Sequence, residues 1–299
     1  MAYSATRSSI GSIGATFIGW LRKIVYFARR KPLGFFGAFI LVLVVTFAIF
    51  APLIAPYEPN FINIRNRLQG PSADHWFGTD QTGRDVFSRI VYGSRISLIV
   101  GFGAAAITMV LGTFLGVVSG YYGGKRDMFI QRGVDAFMAM PVMVVLLTAV
   151  FLMGTSLTNV TLVLGIISAP AASRVIRSAT LTVMANQYID ATQAIGGGDL
   201  RIMLRHVLPN IMAPILVIVS VYVGSNVLAE AALSFLGLGV PPPTPTWGNM
   251  LNIDGLTALS ENLWLSFFPG LAITMVVFSV NVIGDALRDE LDPSRRGIM

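Results

Sequence analysis

The sequence predicts an all-α integral membrane protein of six transmembrane helices, and three observations carry that reading. Of its 299 residues 54% are hydrophobic and 12% charged, and a mean hydropathy of +0.71 is too high for a soluble domain of this length to cover itself with polar surface. Uncharged runs of bilayer-spanning length, about 20 residues, recur along the chain. Basic residues gather in alternate segments between them, as the positive-inside rule requires.

The tail, residues 1–32, carries Arg7, Arg22, Lys23, Arg29, Arg30 and Lys31 with no acid, which holds the N-terminus in the cytoplasm. Within it Ile13, Phe17, Trp20, Leu21 and Ile24 share one helical face, the pattern of an anchor lying on the inner leaflet. The first span, residues 33–54, is too long for a signal-peptide core and lacks a small-x-small cleavage site, so it stays in the membrane. An extracytoplasmic loop, residues 55–95, follows with five Arg against four acids; long loops translocate with little regard to charge.

Five more spans occupy residues 96–287. The second covers Ile96 to Tyr122, where Gly112, Gly116 and Gly120 make two small-xxx-small steps that let another helix approach closely. The run Ala136 to Ser173 is too long for one helix and breaks at Gly154-Thr155-Ser156, giving a span from Val134 to Met153 and another from Leu157 to Ser173, with Pro170 near its end. The fifth covers Ile211 to Ala229, and the sixth ends near Val282. Six passes return the C-terminal tail, residues 288–299, to the cytoplasm. Lys125, Arg126, Arg132, Arg174, Arg177, Arg201 and Arg205 then fall inside, while Asp254 and Glu261 fall outside without a base.

The cytoplasmic segment 174–210 holds the most structured polar stretch. Leu200, Met203, Leu204, Val207 and Leu208 fall at helical spacing, with Arg201 and Arg205 elsewhere. Gly196-Gly197-Gly198 supplies a break, Asp199 is a candidate N-cap, and Pro209 closes the second helix. The segment therefore reads as helix, turn, helix: a docking loop, or an amphipathic helix lying on the bilayer.

Catalytic constellations fail on counting. Cys is absent, and the two His, His75 and His206, fall in different compartments, so the chain offers no metal site. The nearest approach to a phosphate loop, Gly123-Gly124-Lys125, continues with Arg126 where Ser or Thr is required. The chain binds no cofactor and is not an enzyme. Its net charge of +6 suits anionic lipid headgroups and not nucleic acid.

Glu230 lies late in the fifth span. An acid at the bilayer centre costs roughly 2.5 to 3.5 kcal/mol, against about 0.3 to 0.6 gained per large apolar residue, so the span inserts with the acid facing the bundle or an aqueous path. Asn226 and Ser225 are its candidate polar neighbours, and its role is either pathway or buried hydrogen bonding. Asp135 and Asp285 fall near cytoplasmic helix ends, where water solvates them. The stiff, Pro-rich run from Gly237 to Asn249 reads as a docking surface or a rigid connector.

The spacing of Asp190-Ala191-Thr192, Gly196 and Leu208-Pro209 resembles the cytoplasmic "EAA" loop of binding-protein-dependent ABC importer permeases, with Asp190 in place of Glu and Thr192 in place of the second Ala. Three further runs, Arg29 to Gly34, His75 to Ile90 and Ser234 to Gly248, resemble the C-type permease of dipeptide, oligopeptide and nickel importers. The similarity extends from Arg29 to Leu291-Asp-Pro293. It implies the type I ABC importer permease fold in a bacterial or archaeal plasma membrane. It also implies a heterodimer with a homologous second permease, two cytoplasmic ATPase subunits carrying ATP and Mg, and an extracytoplasmic peptide-binding protein. Asp190, Ala191, Thr192, Gly196, Asp199, Leu208 and Pro209 would make the ATPase contact. Peptide is the expected solute, with nickel chelates, haem and glutathione as alternatives. A stand-alone secondary transporter or channel would show more intramembrane ionisable groups or inverted repeats; a scaffold subunit would bind no ATPase.

Overall fold

The computed structural model describes residues 28–252 and 262–291. The readings for residues 1–27, for Asp254 and Glu261 and for residues 292–299 lie outside them. Among the described residues the architecture is all helical, with one isolated bridge between Thr79 and Asp85. The main helices are α1 (Pro32–Ile49), α2 (Val86–Tyr122), α3 (Gly124–Met138), α4 (Val142–Met153), α5 (Leu157–Met184), α6 (Gln187–Ala194), α7 (Met212–Phe235) and α8 (Trp264–Leu291). Five of these, α1, α2, α5, α7 and α8, are long and apolar enough to cross a membrane; α3 and α4 meet the same requirement only as a pair, bent by 85° at their break.

Beyond α7 and α8, which run on to Phe235 and Leu291 past the Ala229 and Val282 expected, three spans differ from the sequence expectation because charge or proline is handled locally. The second begins at Val86 and not Ile96. Asp85 caps it by accepting the Ser88 N–H at 2.7 Å. The arginines that interrupt the apolar run are satisfied: Arg89 donates to the Pro59 carbonyl at 3.1 Å and lies 3.8 Å from Asp80, while Arg95 donates to the carbonyls of Ala48 and Ile49. The third is not one helix from Val134 to Met153; it starts at Gly124 and breaks at Ala139–Pro141, where Pro141 lacks an N–H and biases its predecessor away from helix. The fourth does not stop at Ser173. It runs on to Met184 because Arg174 and Arg177 pair with Asp135 and Asp127.

The bundle has two ends. At the distal end residues 55–85 fold over the start of α2 around buried Asp80, whose carboxylate accepts from Thr82 N–H at 2.8 Å, Thr82 Oγ1 at 2.7 Å, Arg84 N–H at 3.0 Å and Arg84 Nε. His75 Nδ1 meets Asp85 Oδ1 at 2.9 Å. Asp80 thus pairs with Arg84 and Arg89, two of the five arginines in residues 55–95. At the proximal end lie the segment 185–211, the junction of α2 with α3, and both extremities of the described chain, where Lys31 is ion-paired with Asp289.

Between the ends, α2 and α5 run in contact. A Cβ on Gly112 would come 2.9 Å from Ala172 Cβ, one on Gly116 2.7 Å from the Ser173 carbonyl, and one on Gly120 2.8 Å from Thr180 Cβ. Lipid tails are as apolar as leucine, so helices associate through such close van der Waals contact. Thr108 Oγ1 adds a hydrogen bond across the seam to the Gly165 carbonyl at 3.0 Å. On the other side α7 packs against α2 and α8, and α1 lies on α8 with Gly37 directly over the Ser279 carbonyl.

Gly116→Val is expected to lower stability in detergent by about 1–3 kcal/mol, the usual cost of overpacking. Gly133→Ala, in a helix interior with nothing within 4 Å, should instead raise the thermal midpoint slightly, since Ala is favoured there by about 0.5–1 kcal/mol.

Candidate functional site

The proximal segment is assembled from two short arms. The first, α6, buries Ile189 and exposes Asp190 and Ala191. Thr192 is half-buried and its hydroxyl donates to the Tyr188 carbonyl at 2.7 Å. The helix ends in a Schellman turn: Gly196 N–H donates to Gln193 O and Gly197 N–H to Thr192 O, both at 2.9 Å, with Gly196 at φ +82°. A side chain at 196 would strain this left-handed backbone, and a β-branched one most.

The second arm departs from the expected amphipathic helix. It comprises one α turn (Asp199–Ile202), a π segment (Met203–Val207) and a last turn (Leu208–Asn210). The wider π turn places Ile202 and Val207, five residues apart, on the buried side. Leu200 and Leu204 of the expected stripe are exposed, and Met203 and Leu208 are half-buried. Asp199 is not the N-cap. Gly198 takes that position, and Asp199 follows as an acid in the first turn whose carboxylate accepts from Tyr121 Oη on α2 at 2.9 Å. Pro209 does not end the helix either, since its missing N–H falls at the start of a turn, and the chain bends instead at Ile211 before α7.

Ile189, Ile202, Val207 and Ile211 share one apolar cluster with Val117 of α2 and with Ile176 and Val183 of α5. The arms are thus seated on the proximal ends of the two helices that the glycine seam holds together. α5 reaches α6 through Ala185 and Asn186 alone, and Asn186 Nδ2 donates back to the carbonyls of Thr182 and Val183. The outer surface carries Asp190, Ala191, Gly196 and Ile195, the last 85% exposed. Such an arrangement ties an exposed tip to the buried proximal ends of α2 and α5.

Glu230 lies on α7 with no exposed surface. Ser234 Oγ donates to Oε1 at 2.7 Å and Ser97 Oγ to Oε2 at 3.5 Å, while Thr246 Oγ1 lies 3.4 Å from Ser234 Oγ. The neighbours expected for it are elsewhere: Ser225 is exposed, and buried Asn226 faces Ser168 of α5 at 3.4 Å. Ser234, one turn beyond Glu230, was readable from helical spacing. Ser97 and Thr246 are brought in by tertiary packing and left no local signal.

The Pro-rich run turns at Pro242–Pro243 and drives Trp247 inward. Its indole is buried against Gly93 and donates from Nε1 to the Ile90 carbonyl at 3.1 Å. This covers Glu230 from the distal end and makes the run a packed closure of the bundle.

Residues 112–297 match the model for the binding-protein-dependent transport system inner membrane component, and residues 22–71 match the N-terminal TM domain of oligopeptide transport permease C. The dipeptide transport system permease protein DppC of Alkalihalophilus pseudofirmus is 42% identical over 90% of this chain and 88% of its own length. The glutathione transport system permease protein GsiD of Escherichia coli is 40% identical over 90% of this chain and 89% of its own. Among solved structures, an inward-facing conformation of the MetNI methionine ABC transporter shares the fold, with TM-score 0.58 and 17% identity over 68% of this chain and 95% of that one.

Glu230→Ala leaves Ser234 and Ser97 without their acceptor and is expected to destabilise the protein by about 1–3 kcal/mol. Glu230→Gln keeps the volume and an accepting oxygen and should stay near wild type. Thermal unfolding of both variants in detergent checks the order.

Proposed function

The chain belongs to the family of binding-protein-dependent transport system inner membrane components, and from that membership we propose that it forms half of the translocation pathway of an ATP-driven peptide importer. The observation that carries this reading is the seating of segment 185–211: its tip is exposed while its apolar residues grip α2 and α5. One of two cytoplasmic ATPase subunits docks on that tip, through Asp190, Ala191, Thr192 and Gly196, with Asp199, Leu208 and Pro209 holding the second arm. ATP and Mg stay with the ATPases, and this chain is non-catalytic. A homologous second permease supplies the other half of the path, and an extracytoplasmic binding protein delivers the solute. ATP binding and release bias a helix bundle with two arrangements, which is alternating access.

The proximal end faces the cytoplasm in this reading. The support is charge: Lys125, Arg126, Arg132, Arg201 and Arg205 all lie there. Peptide is the solute because the dipeptide and glutathione permeases it resembles are both named for solutes built of amino acids joined by amides. Nickel chelates and haem find no such support.

Gly196→Val should abolish ATP-driven uptake of a radiolabelled dipeptide into proteoliposomes holding the full transporter, while the protein still inserts. Uptake at the wild-type rate would remove the coupling role. Orientation is read separately by Asn186→Cys, since the chain has no thiol of its own: a membrane-impermeant maleimide should label it in inverted vesicles and not in intact cells.

A further inference from the structure

α3 is held by charge and not by apolar packing. Val134 is its one buried residue, against long buried faces on α2 and α5. In place of a core it has ion pairs to α5: Arg177 Nε to Asp127 Oδ1 at 2.6 Å, and Arg174 to Asp135. Ser119 of α2 donates to Asp127 and accepts from Gln131 Nε2 at 2.9 Å. Asp127, Gln131, Asp135, Arg174 and Arg177 line an open cleft of about 550 Å³ between the helices.

Both ends of α3 are jointed. Gly123 and Gly124 have φ of +59° and +52°, and no atom stands within 4 Å of where a Cβ would sit on either; two such glycines let the backbone pivot without steric resistance. At the other end the Ala139–Pro141 break carries the 85° bend into α4. An element with two hinges, little buried apolar area and solvent-accessible ion pairs is the kind that changes place at low cost, whereas a packed core resists.

The charged partners of α3 lie on the last turns of α5, which continues through Ala185 into the coupling segment. Any displacement of that segment acts directly on Arg174 and Arg177. We propose that α3 is a hinged arm latched to α5 by Asp127–Arg177 and Asp135–Arg174, and that the latch is closed in one transport state and open in the other. Asp127, Asp135, Arg174 and Arg177 are then positioning residues for coupling. The proposal rests on the coupling role of segment 185–211 argued above.

The test uses Asp135→Cys with Arg174→Cys in the assembled transporter in proteoliposomes, with the bridge read within this chain, which has no thiol of its own. The yield of an α3–α5 bridge with a short bifunctional thiol reagent is compared without nucleotide and after trapping the ATPases with ATP and vanadate. The expected result is a yield that is high in one state and lost in the other. Equal yields in both states overturn the latch, whatever solute is carried. Asp127→Asn, which leaves the other pair intact, should hydrolyse ATP without driving uptake, and Asp127→Arg with Arg177→Asp should restore coupling. Normal uptake by Asp127→Asn, or no rescue by the exchanged pair, also overturns the proposal. If the wild-type transporter takes up no peptide, the assigned solute fails, and the crosslinking comparison still decides the arm.

Discussion

The close approach of α2 to α5 is the constraint on which the rest of this structure depends. Gly112, Gly116 and Gly120 remove the side chains that would keep the two backbones apart, and the dispersion gained across that seam replaces a hydrophobic drive that lipid does not provide. Because the seam extends to the proximal end, Val117, Ile176 and Val183 arrive there together and form the floor on which Ile189, Ile202 and Val207 sit. A looser seam would leave segment 185–211 with no common floor to sit on.

Polar groups in the interior are arranged with the same economy. Glu230 is closed in by hydroxyls from two helices and the capping run, and Asp80 gathers donors from the loop that folds over α2. In both places a carboxylate removed from bulk water is matched by donors on short hydroxyl side chains, joined at Asp80 by backbone N–H groups and the Arg84 guanidinium. The distal loop therefore behaves as folded structure, and Trp247 extends that closure across the top of α7.

Much of this was legible in the sequence, and the limits have physical causes. Hydropathy located the five long apolar helices and the bent pair α3–α4, because the bilayer makes apolar length a strict requirement. It misplaced their ends wherever a charge inside a helix was neutralised by a residue far along the chain. Arg89 and Arg95 read as a loop until Asp80, Pro59 and Ala48 were seen to receive them, and Arg174 read as a helix end until Asp135 was seen to face it. In the candidate site, the turn at Gly196 was visible as a glycine run. The π segment was not, because Met203 to Val207 fits an α stripe equally well on spacing alone. Glu230 was found by its cost, but its partners Ser97 and Thr246 come from 133 residues before and 16 after it, beyond the reach of any periodic pattern.

The pairing of Lys31 with Asp289 joins positions 258 residues apart, and Gly37 meets Ser279 just inside that clip. Among the described helices α1 therefore completes its packing only when α8 has been made. Until then it rests on α2, with Arg95 at the carbonyls of Ala48 and Ile49, while α2, α5 and α7 assemble on contacts already at hand. Assembly of these helices is thus finished by a ring closure, and a chain that loses α8 also loses one side of the lodging of α1.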